Sequence, residues 1–407
     1  MKTRQVRQLS FCGLVVLAFL PARNSTVAQS RAVIVPAPSH VIAPPLSHSM
    51  AIAQLAVVAR APVRARTVRD YPIIRMSDGQ ATLRSYADAL HFWIGTPFQG
   101  LYWDNSKYKH ILATQFNSGV SIIMFPMTQP QPGKFAFSGM DRDMSFAKDH
   151  AMKLFGAALV YRPSNGPDWF SAVCGKWSKD KMDQVLKDQI HTIVHHGGGA
   201  FYGWEVVNEP TSPSHNGCWS QVLGQDEYIA RAFRYAREAA PNAELLLNDT
   251  FGHDGIDKAK AREFFAIIRR LKSSGVPIDV AGIEMHLRID VLRSSYIDEF
   301  EWFLMQAKEV GVQVQITEMD VTLPRAGSLP DFLQKQENIF YKVLHTCLKD
   351  PNCTGFTTWG TSDSMRHAHS LEVSADVFSA EKPLLFDEKL DPKLAFAGVL
   401  QAFKEGR

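Results

Sequence analysis

The chain has 407 residues, 45% hydrophobic and 21% charged, which is ample for a large core and excludes a disordered, collagen-like or coiled-coil chain. Its formal charge of +3 is unevenly spread: residues 1–70 hold nine Lys/Arg and one acidic residue, Asp70, leaving 35 Lys/Arg against 40 Asp/Glu for the remainder. A slightly acidic body has no basic footprint for nucleic acid, so that class of partner is excluded.

At the N-terminus, Lys2, Arg4 and Arg7 precede an apolar run from Leu9 to Leu20 and the small-residue stretch Ser25-Thr26-Val27-Ala28. Basic, then apolar, then small is the order of a secretory signal peptide, here residues 1–28, and the run is shorter than the ~20 residues of a membrane span. A secreted protein, extracellular or periplasmic and without a membrane anchor, is expected. Residues 29–70 carry Pro36, Pro38, Pro44, Pro45 and Pro62 without a clear period, and read as a linker or disordered tail. The folded domain is expected over 71–407.

Cys12 leaves with the signal, so Cys174, Cys218, Cys347 and Cys353 remain, an even number that favours disulfides in an exported chain. Three pairings are open. Cys347 and Cys353 flank Asp350-Pro351-Asn352, where a helix-to-strand turn would allow a local bridge; Cys174 and Cys218 would then pair across two long loops. No His or second Cys stands at zinc-finger or ribbon spacing, so no metal site is expected.

From Tyr71 onward a short apolar run, a loop and a helical stretch recur. Strands are expected near Leu90–Ile94, Val120–Met124, Ala157–Tyr161, Tyr202–Val207, Glu244–Asn248, Val280–His286, Gln313–Thr317 and Gly355–Trp359. Helical periodicity lies between them, as in Tyr228–Ala239 and Ala261–Lys272. Eight such units predict an α/β fold, a (β/α)8 TIM barrel of parallel strands. The rival, an open doubly wound sheet, lacks its Gly-rich phosphate loop; Gly197-Gly198-Gly199 precedes a strand and does not open a helix.

A barrel places its chemistry at the carboxyl ends of its strands, and the unusual polar residues gather there: Asn208 and Glu209 after strand four, Asn248-Asp249 after five, Glu284 and His286 in six, Glu318 and Asp320 in seven, Trp359 in eight. Glu209 and Glu318 face one another across the barrel. Retaining glycosidases need two carboxyl groups about 5–5.5 Å apart, one a nucleophile and the other an acid and then a base. On spacing alone, the same pair would also suit a divalent metal or structural ion pairs.

The motifs narrow this. Trp204-Glu205-Val206-Val207-Asn208-Glu209 looks like a WDVVNE block, Ile316-Thr317-Glu318-Met319-Asp320 like ITELD, Asn248-Asp249 like NDY, and Thr358-Trp359-Gly360 with Asp363 like TVWGxxD. Pro383-Leu384-Leu385-Phe386-Asp387 and Pro392-Lys393 complete the series. In this order the blocks resemble glycoside hydrolase family 10, the retaining endo-β-1,4-xylanases, along residues 85 to 403. The resemblance implies a hydrolase of β-linked plant polysaccharide that needs no cofactor, and a Cys347–Cys353 bridge. It assigns Glu318 as nucleophile and Glu209 as acid/base. Asn208 would bond the sugar 2-hydroxyl, His286 and Asp320 would orient the nucleophile, and Trp359 would stack beneath the sugar. Asn248 and Glu284 would support substrate binding. A monomer is expected.

Part of the pattern departs from the family. Where it has EN-x-x-K after strand two, this chain reads Val120-Ser121-Ile122-Ile123-Met124-Phe125-Pro126. GHTLVWHSQ becomes Gly156-Ala157-Ala158-Leu159-Val160-Tyr161-Arg162-Pro163-Ser164, so its first His is Ala157. Glu284 stands in place of Gln, and His367 in place of the second Trp after strand eight. Sites that read hydroxyls lose strongly when a buried polar partner goes. Three outcomes fit: a xylanase, a β-glycosidase with a different glycone, or a non-catalytic carbohydrate-binding barrel.

Overall fold

The computed structural model describes residues 81–161, 167–212, 217–364 and 381–406. The expected signal peptide and tail lie outside the described residues, as do Arg162, Pro163, Ser164 and His367. Among the described residues, eight strands close into a barrel in sequence order: β1 (Trp93–Pro97), β2 (Ser118–Ile122), β3 (Lys153–Ala157), β4 (Phe201–Asn208), β5 (Glu244–Thr250), β6 (Val280–Arg288), β7 (Gln313–Thr322) and β8 (Cys353–Thr358). Every neighbouring pair is parallel, and β8 closes on β1 through Trp93↔Gly355, Ile94↔Phe356 and Gly95↔Thr357. The expected (β/α)8 architecture is the observed one.

Helices connect the strands: α1 (Leu83–Ala89), α2 (Ser106–Gln115), α3 (Phe125–Thr128), α4 (Ser138–Asp149), α5 (Asp168–Ser171), α6 (Lys179–Gly197), α7 (Gly217–Leu223), α8 (Gln225–Ala239), α9 (Lys258–Ser273), α10 (Tyr296–Val310), α11 (Leu329–Lys349) and α12 (Leu394–Glu405). Their starts follow local chemistry. Thr82 Oγ1 accepts from the Ser85 amide at 3.1 Å while Ser85 Oγ accepts from the Thr82 amide at 2.8 Å, a reciprocal cap that satisfies two otherwise orphaned donors. Asp257 Oδ1 accepts from the Ala259 and Lys260 amides and opens α9. Gly311, at φ 72°, supplies the left-handed residue that ends α10.

The helices lay their apolar stripes on the outside of the barrel, burying residues such as Phe233, Phe264, Phe303, Phe340 and Val399. Inside, side chains fill the barrel: Val120, Phe155, Leu246 and Val280 form a cluster, and Trp93 stacks on Tyr202 at 3.9 Å. Arg84 on α1, fully buried, ties the ends of α2 and α4 together, donating to the Ala113, His150 and Ala151 carbonyls at 2.9 Å each. These are carbonyls at helix ends that have no partner within their own helix.

Several boundaries differ from expectation. β3 covers Lys153–Ala157 rather than Ala157–Tyr161, because the run from Leu154 to Val160 is apolar almost throughout and carries no mark of where pairing stops. β1 starts at Trp93 because Leu90 caps α1 and Phe92 fills the space between helix and strand. β6 and β7 run on together to Arg288 and Thr322, so Glu318 and Asp320 lie within β7 and not at its end. That extension is a property of the pair: each strand supplies the other's hydrogen bonds.

Candidate active site

Strands β4 to β7 deliver a ring of buried polar side chains at the carboxyl end of the barrel. In β6 and β7, Glu284 sits directly opposite Glu318, and His286 opposite Asp320. The ladder shifts register between Ile283 and Glu284, and again on the β8 side between Ile316 and Met319. His286 joins the group: Nδ1 meets Asp320 Oδ2 at 2.8 Å, and Nε2 meets Glu318 Oε2 at 3.1 Å and lies 3.8 Å from Glu284 Oε2. Burial works against charge on this imidazole, but Asp320 and Glu318 overcome it and hold His286 protonated well above the usual histidine range.

Asn248, fully buried on β5, links three strands. Its Nδ2 donates to Asn208 Oδ1 and to Glu284 Oε1, each at 2.9 Å, and its Oδ1 accepts from Thr317 Oγ1 at 2.7 Å. Both donor hydrogens of this amide are committed and its oxygen accepts one bond, which fixes its orientation and orients Asn208 as well.

Glu209 follows β4 with φ 48°, a left-handed conformation that costs a non-glycine residue strain. The surroundings enforce it. Its amide donates to the Asn248 carbonyl at 2.8 Å, and Thr211 donates through N and Oγ1 to Asp249 Oδ2 at 3.0 and 2.7 Å. Asp249 is paired in turn with Lys260 at 2.9 Å. Glu209 Oε1 accepts from Tyr161 Oη at 2.8 Å.

The site is crowded with carboxyl groups. Burial, followed by the charges of Glu318 and Glu209, pushes Glu284 well above the usual carboxylate range. Glu205, 2% exposed, is pushed well above it for the same reasons. Burial also raises Glu318, opposed by its bond from His286. Like charges confined together in low dielectric cannot all ionise. Glu284, His286 and Glu318 each bring a potential ligand atom within 4.8 Å of the others, which is the cluster among the described residues that could hold a metal ion.

Trp359 follows β8, 6% exposed, and packs in the apolar cluster with Val120, Phe155 and Ala157, with Ile122 alongside. Ala157 at the end of β3 and Trp359 after β8 thus belong to the same apolar cluster that fills the barrel, with Ile122 at the end of β2 packed against it. Asp363 lies away from this ring. Its Oδ1 accepts from the Leu384 amide at 2.9 Å, its carboxylate pairs with Lys393, and it stitches the C-terminal motif residues to the segment after β8.

The structure brings Glu209, Glu318, Asn208, Asn248, His286, Asp320 and Glu284 together at one end of the barrel. It also pairs Cys347 with Cys353 and Cys174 with Cys218, with Cα separations of 5.2 and 5.8 Å. Two participants escaped the sequence reading. Glu205 had a signal, a carboxyl group inside an otherwise apolar strand. Tyr161 had little, because its approach to Glu209 depends on how β3 meets β4.

Comparison with known proteins agrees with this fold. The family model for glycosyl hydrolase family 10 matches residues 83–402. Endo-1,4-beta-xylanase B of Thermotoga neapolitana is 30% identical over 336 residues, covering 79% of this chain and 92% of that protein. Endo-1,4-beta-xylanase A of Thermoanaerobacterium saccharolyticum is 32% identical over 319 residues, 74% of this chain but only 26% of that much longer protein. Among solved structures, xylanase 10B from Thermotoga petrophila RKU-1 in complex with xylobiose superimposes with a TM-score of 0.72 at 30% identity, covering 80% of this chain and 98% of that one. A closed parallel barrel, a paired-carboxylate site at its carboxyl end and a family match over most of its length together identify this chain as a glycoside hydrolase belonging to glycosyl hydrolase family 10.

Proposed function

We propose that this hydrolase is an endo-β-1,4-xylanase-like enzyme that cleaves its substrate by double displacement. The observation that carries the reading is the His286 relay, with Nδ1 on Asp320 and Nε2 on Glu318, facing a second carboxyl group, Glu209, on β4. A protonated His286 holds Glu318 as a carboxylate with one oxygen directed at the anomeric carbon, the requirement of a nucleophile. Glu209 donates a proton to the departing oxygen and then, as carboxylate, takes one from the incoming water. Asn208, its Oδ1 engaged by Asn248, turns its amide nitrogen towards the sugar 2-hydroxyl, and Trp359 supplies apolar area beneath the ring.

Xylan is the substrate class indicated by the relatives' names and by the xylobiose complex of the Thermotoga petrophila enzyme. The apolar side chains Ile122, Ala157 and Trp359 at the carboxyl ends of β2, β3 and β8 favour a second reading, a β-glycosidase with altered glycone preference. Hydrolysis rates on xylan, glucan, mannan and aryl β-glycosides decide between them. Secretion through residues 1–28 is supported by the two disulfides, since oxidising compartments preserve them.

Glu318→Ala should lower hydrolysis by roughly four orders of magnitude with little change in unfolding temperature, and added azide should give a glycosyl azide of inverted configuration. Wild-type activity in that variant would remove Glu318 from the mechanism. Proton NMR of fresh product from a β-linked substrate should show the β-anomer first; an α-anomer appearing first would mean an inverting enzyme.

A further inference from the structure

Tyr161 lies just past β3, yet its backbone is not that of a free loop. The Leu159 amide donates to the Glu205 carbonyl at 2.9 Å, the Val160 amide to the Val206 carbonyl at 3.0 Å, and the Asn208 amide to the Val160 carbonyl at 3.0 Å. The ladder with β4 therefore resumes after β3 ends and delivers the next side chain beside the residue that follows Asn208. Glu209 is held equally firmly from the other side, by the Asn248 carbonyl and by the Thr211–Asp249–Lys260 chain. Between these two fixed backbones the phenol hydroxyl donates to Glu209 Oε1 at 2.8 Å, an ordinary length for an O–H to O bond.

We propose that Tyr161 is a positioning residue for the acid/base: its hydroxyl occupies Oε1 of Glu209, so that Oε2 carries the transferable proton, and it stabilises the carboxylate that forms when that proton leaves. The inference rests on Glu209 being the acid/base. In the glycosylation step the Glu209 Oε2–H bond breaks and its proton passes to the glycosidic oxygen. The bond from C1 to that oxygen breaks, its electron pair staying on oxygen, while a Glu318 oxygen forms the new bond to C1. As negative charge develops on Glu209, the bond from Tyr161 becomes charge-assisted and roughly doubles in strength. That gain exists in the transition state and is largely absent in the ground state, so it accelerates the step. It matters only where the leaving group needs the proton.

The test is therefore a leaving-group series. Aryl β-xylobiosides from 2,4-dinitrophenyl, which departs unaided, to phenyl, which needs protonation, are assayed with wild type, Tyr161→Phe, Tyr161→Leu and Glu209→Ala. Tyr161→Phe should lower kcat/KM about tenfold on the phenyl substrate, and by less than about twofold on the dinitrophenyl one. Tyr161→Leu, which also removes the ring, should reproduce that contrast. A uniform loss across the series, or a contrast present in Tyr161→Leu and absent in Tyr161→Phe, would mean that Tyr161 only packs, and would overturn the proposal. If Tyr161→Phe does not fold, judged by its unfolding temperature, the Leu variant and incorporation of a fluorinated tyrosine at position 161 carry the test. In the latter, a more acidic phenol should flatten the series and an unchanged slope refutes the idea. Glu209→Ala separates the two failures: if it shows no leaving-group dependence, Glu209 is not the acid; if it does and Tyr161→Phe does not, only the role of Tyr161 falls.

Discussion

Glu284 takes a neutral amide's place with an ionisable group, and its surroundings decide which form it takes. Buried beside Glu318 and accepting from Asn248 at Oε1, it is pushed well above the usual carboxylate range by desolvation and then by the charges of Glu318 and Glu209. The neutral acid, a hydrogen-bond donor, therefore persists from acidic pH upward. As pH rises through its shifted value, Glu284 ionises, that donor is lost and a negative charge appears beside the nucleophile. The wild-type pH profile should consequently be weighted to acid, with Glu284 shaping part of its alkaline limb. Glu284→Gln, which keeps a donor at every pH, should extend activity towards alkali and alter the acidic side far less. Superimposable pH profiles for the two proteins would show the third carboxyl to be a bystander.

Among the elements, α11 and α12 pack against each other with almost no space between their backbones. Gly398 on α12 is why: a Cβ there would lie 2.4 Å from the Glu337 carbonyl oxygen, which belongs to α11 and cannot rotate away. Gly398→Ala must push the helices apart and should destabilise by about 1–3 kcal/mol, measurable as a lower urea midpoint. An unchanged midpoint would mean that α12 shifts at no cost. The two disulfides also differ as elements. Cys174–Cys218 joins the turn after α5 to α7 across 44 residues, whereas Cys347–Cys353 spans six between α11 and β8. By loop-closure entropy the first stabilises by roughly 4 kcal/mol and the second by roughly 2. Cys174→Ser with Cys218→Ser should therefore lower the urea midpoint more than the Cys347→Ser, Cys353→Ser pair. The reverse order would show that burial of the short bridge outweighs chain entropy.

For the molecule as a whole, acid stability is set by groups that pull in opposite directions. Burial favours a raised value for Glu299, but the Arg293 bonds at 3.0 and 2.8 Å, Ser295 and the Ile256 amide prevail and lower it to about 2. Its stabilisation is complete above the unfolded value near 4.5 and is lost as pH falls through about 2. Burial raises Asp143 and Asp363 to about 6, so their contributions have the opposite sign: present at low pH and lost as pH rises from near 3.8 through about 6. Glu299→Gln should lower the unfolding temperature by several degrees at pH 7 and by little near pH 2. Equal losses at both pH values would assign the effect to packing rather than charge.

How much of this was legible beforehand follows from the range over which each signal acts. Eight apolar runs separated by helical periods determine a parallel barrel, because a strand buried on both faces must be apolar and a surface helix must not be. That Asn208, Glu209, Glu318 and Asp320 lie towards one end of the barrel was legible too, since parallel strands gather the residues of their carboxyl-terminal halves there, although Glu318 and Asp320 prove to lie within β7. Cysteine spacing left three pairings open, and the fold chose among them by bringing Cys174, in the turn after α5, to a Cα separation of 5.8 Å from Cys218 on α7. Tertiary structure alone decided the relations between strands. Apolarity could not tell where β3 ends, because Leu154 to Val160 is buried whether or not it is paired. The joint extension of β6 and β7, which seats His286 opposite Asp320, exists only in the pair. Tyr161 meets Glu209 because pairing resumes at Val160↔Val207 beyond the end of β3. Local periodicity reports which face a residue turns, whereas contacts across strands depend on register, which is settled only when the sheet closes.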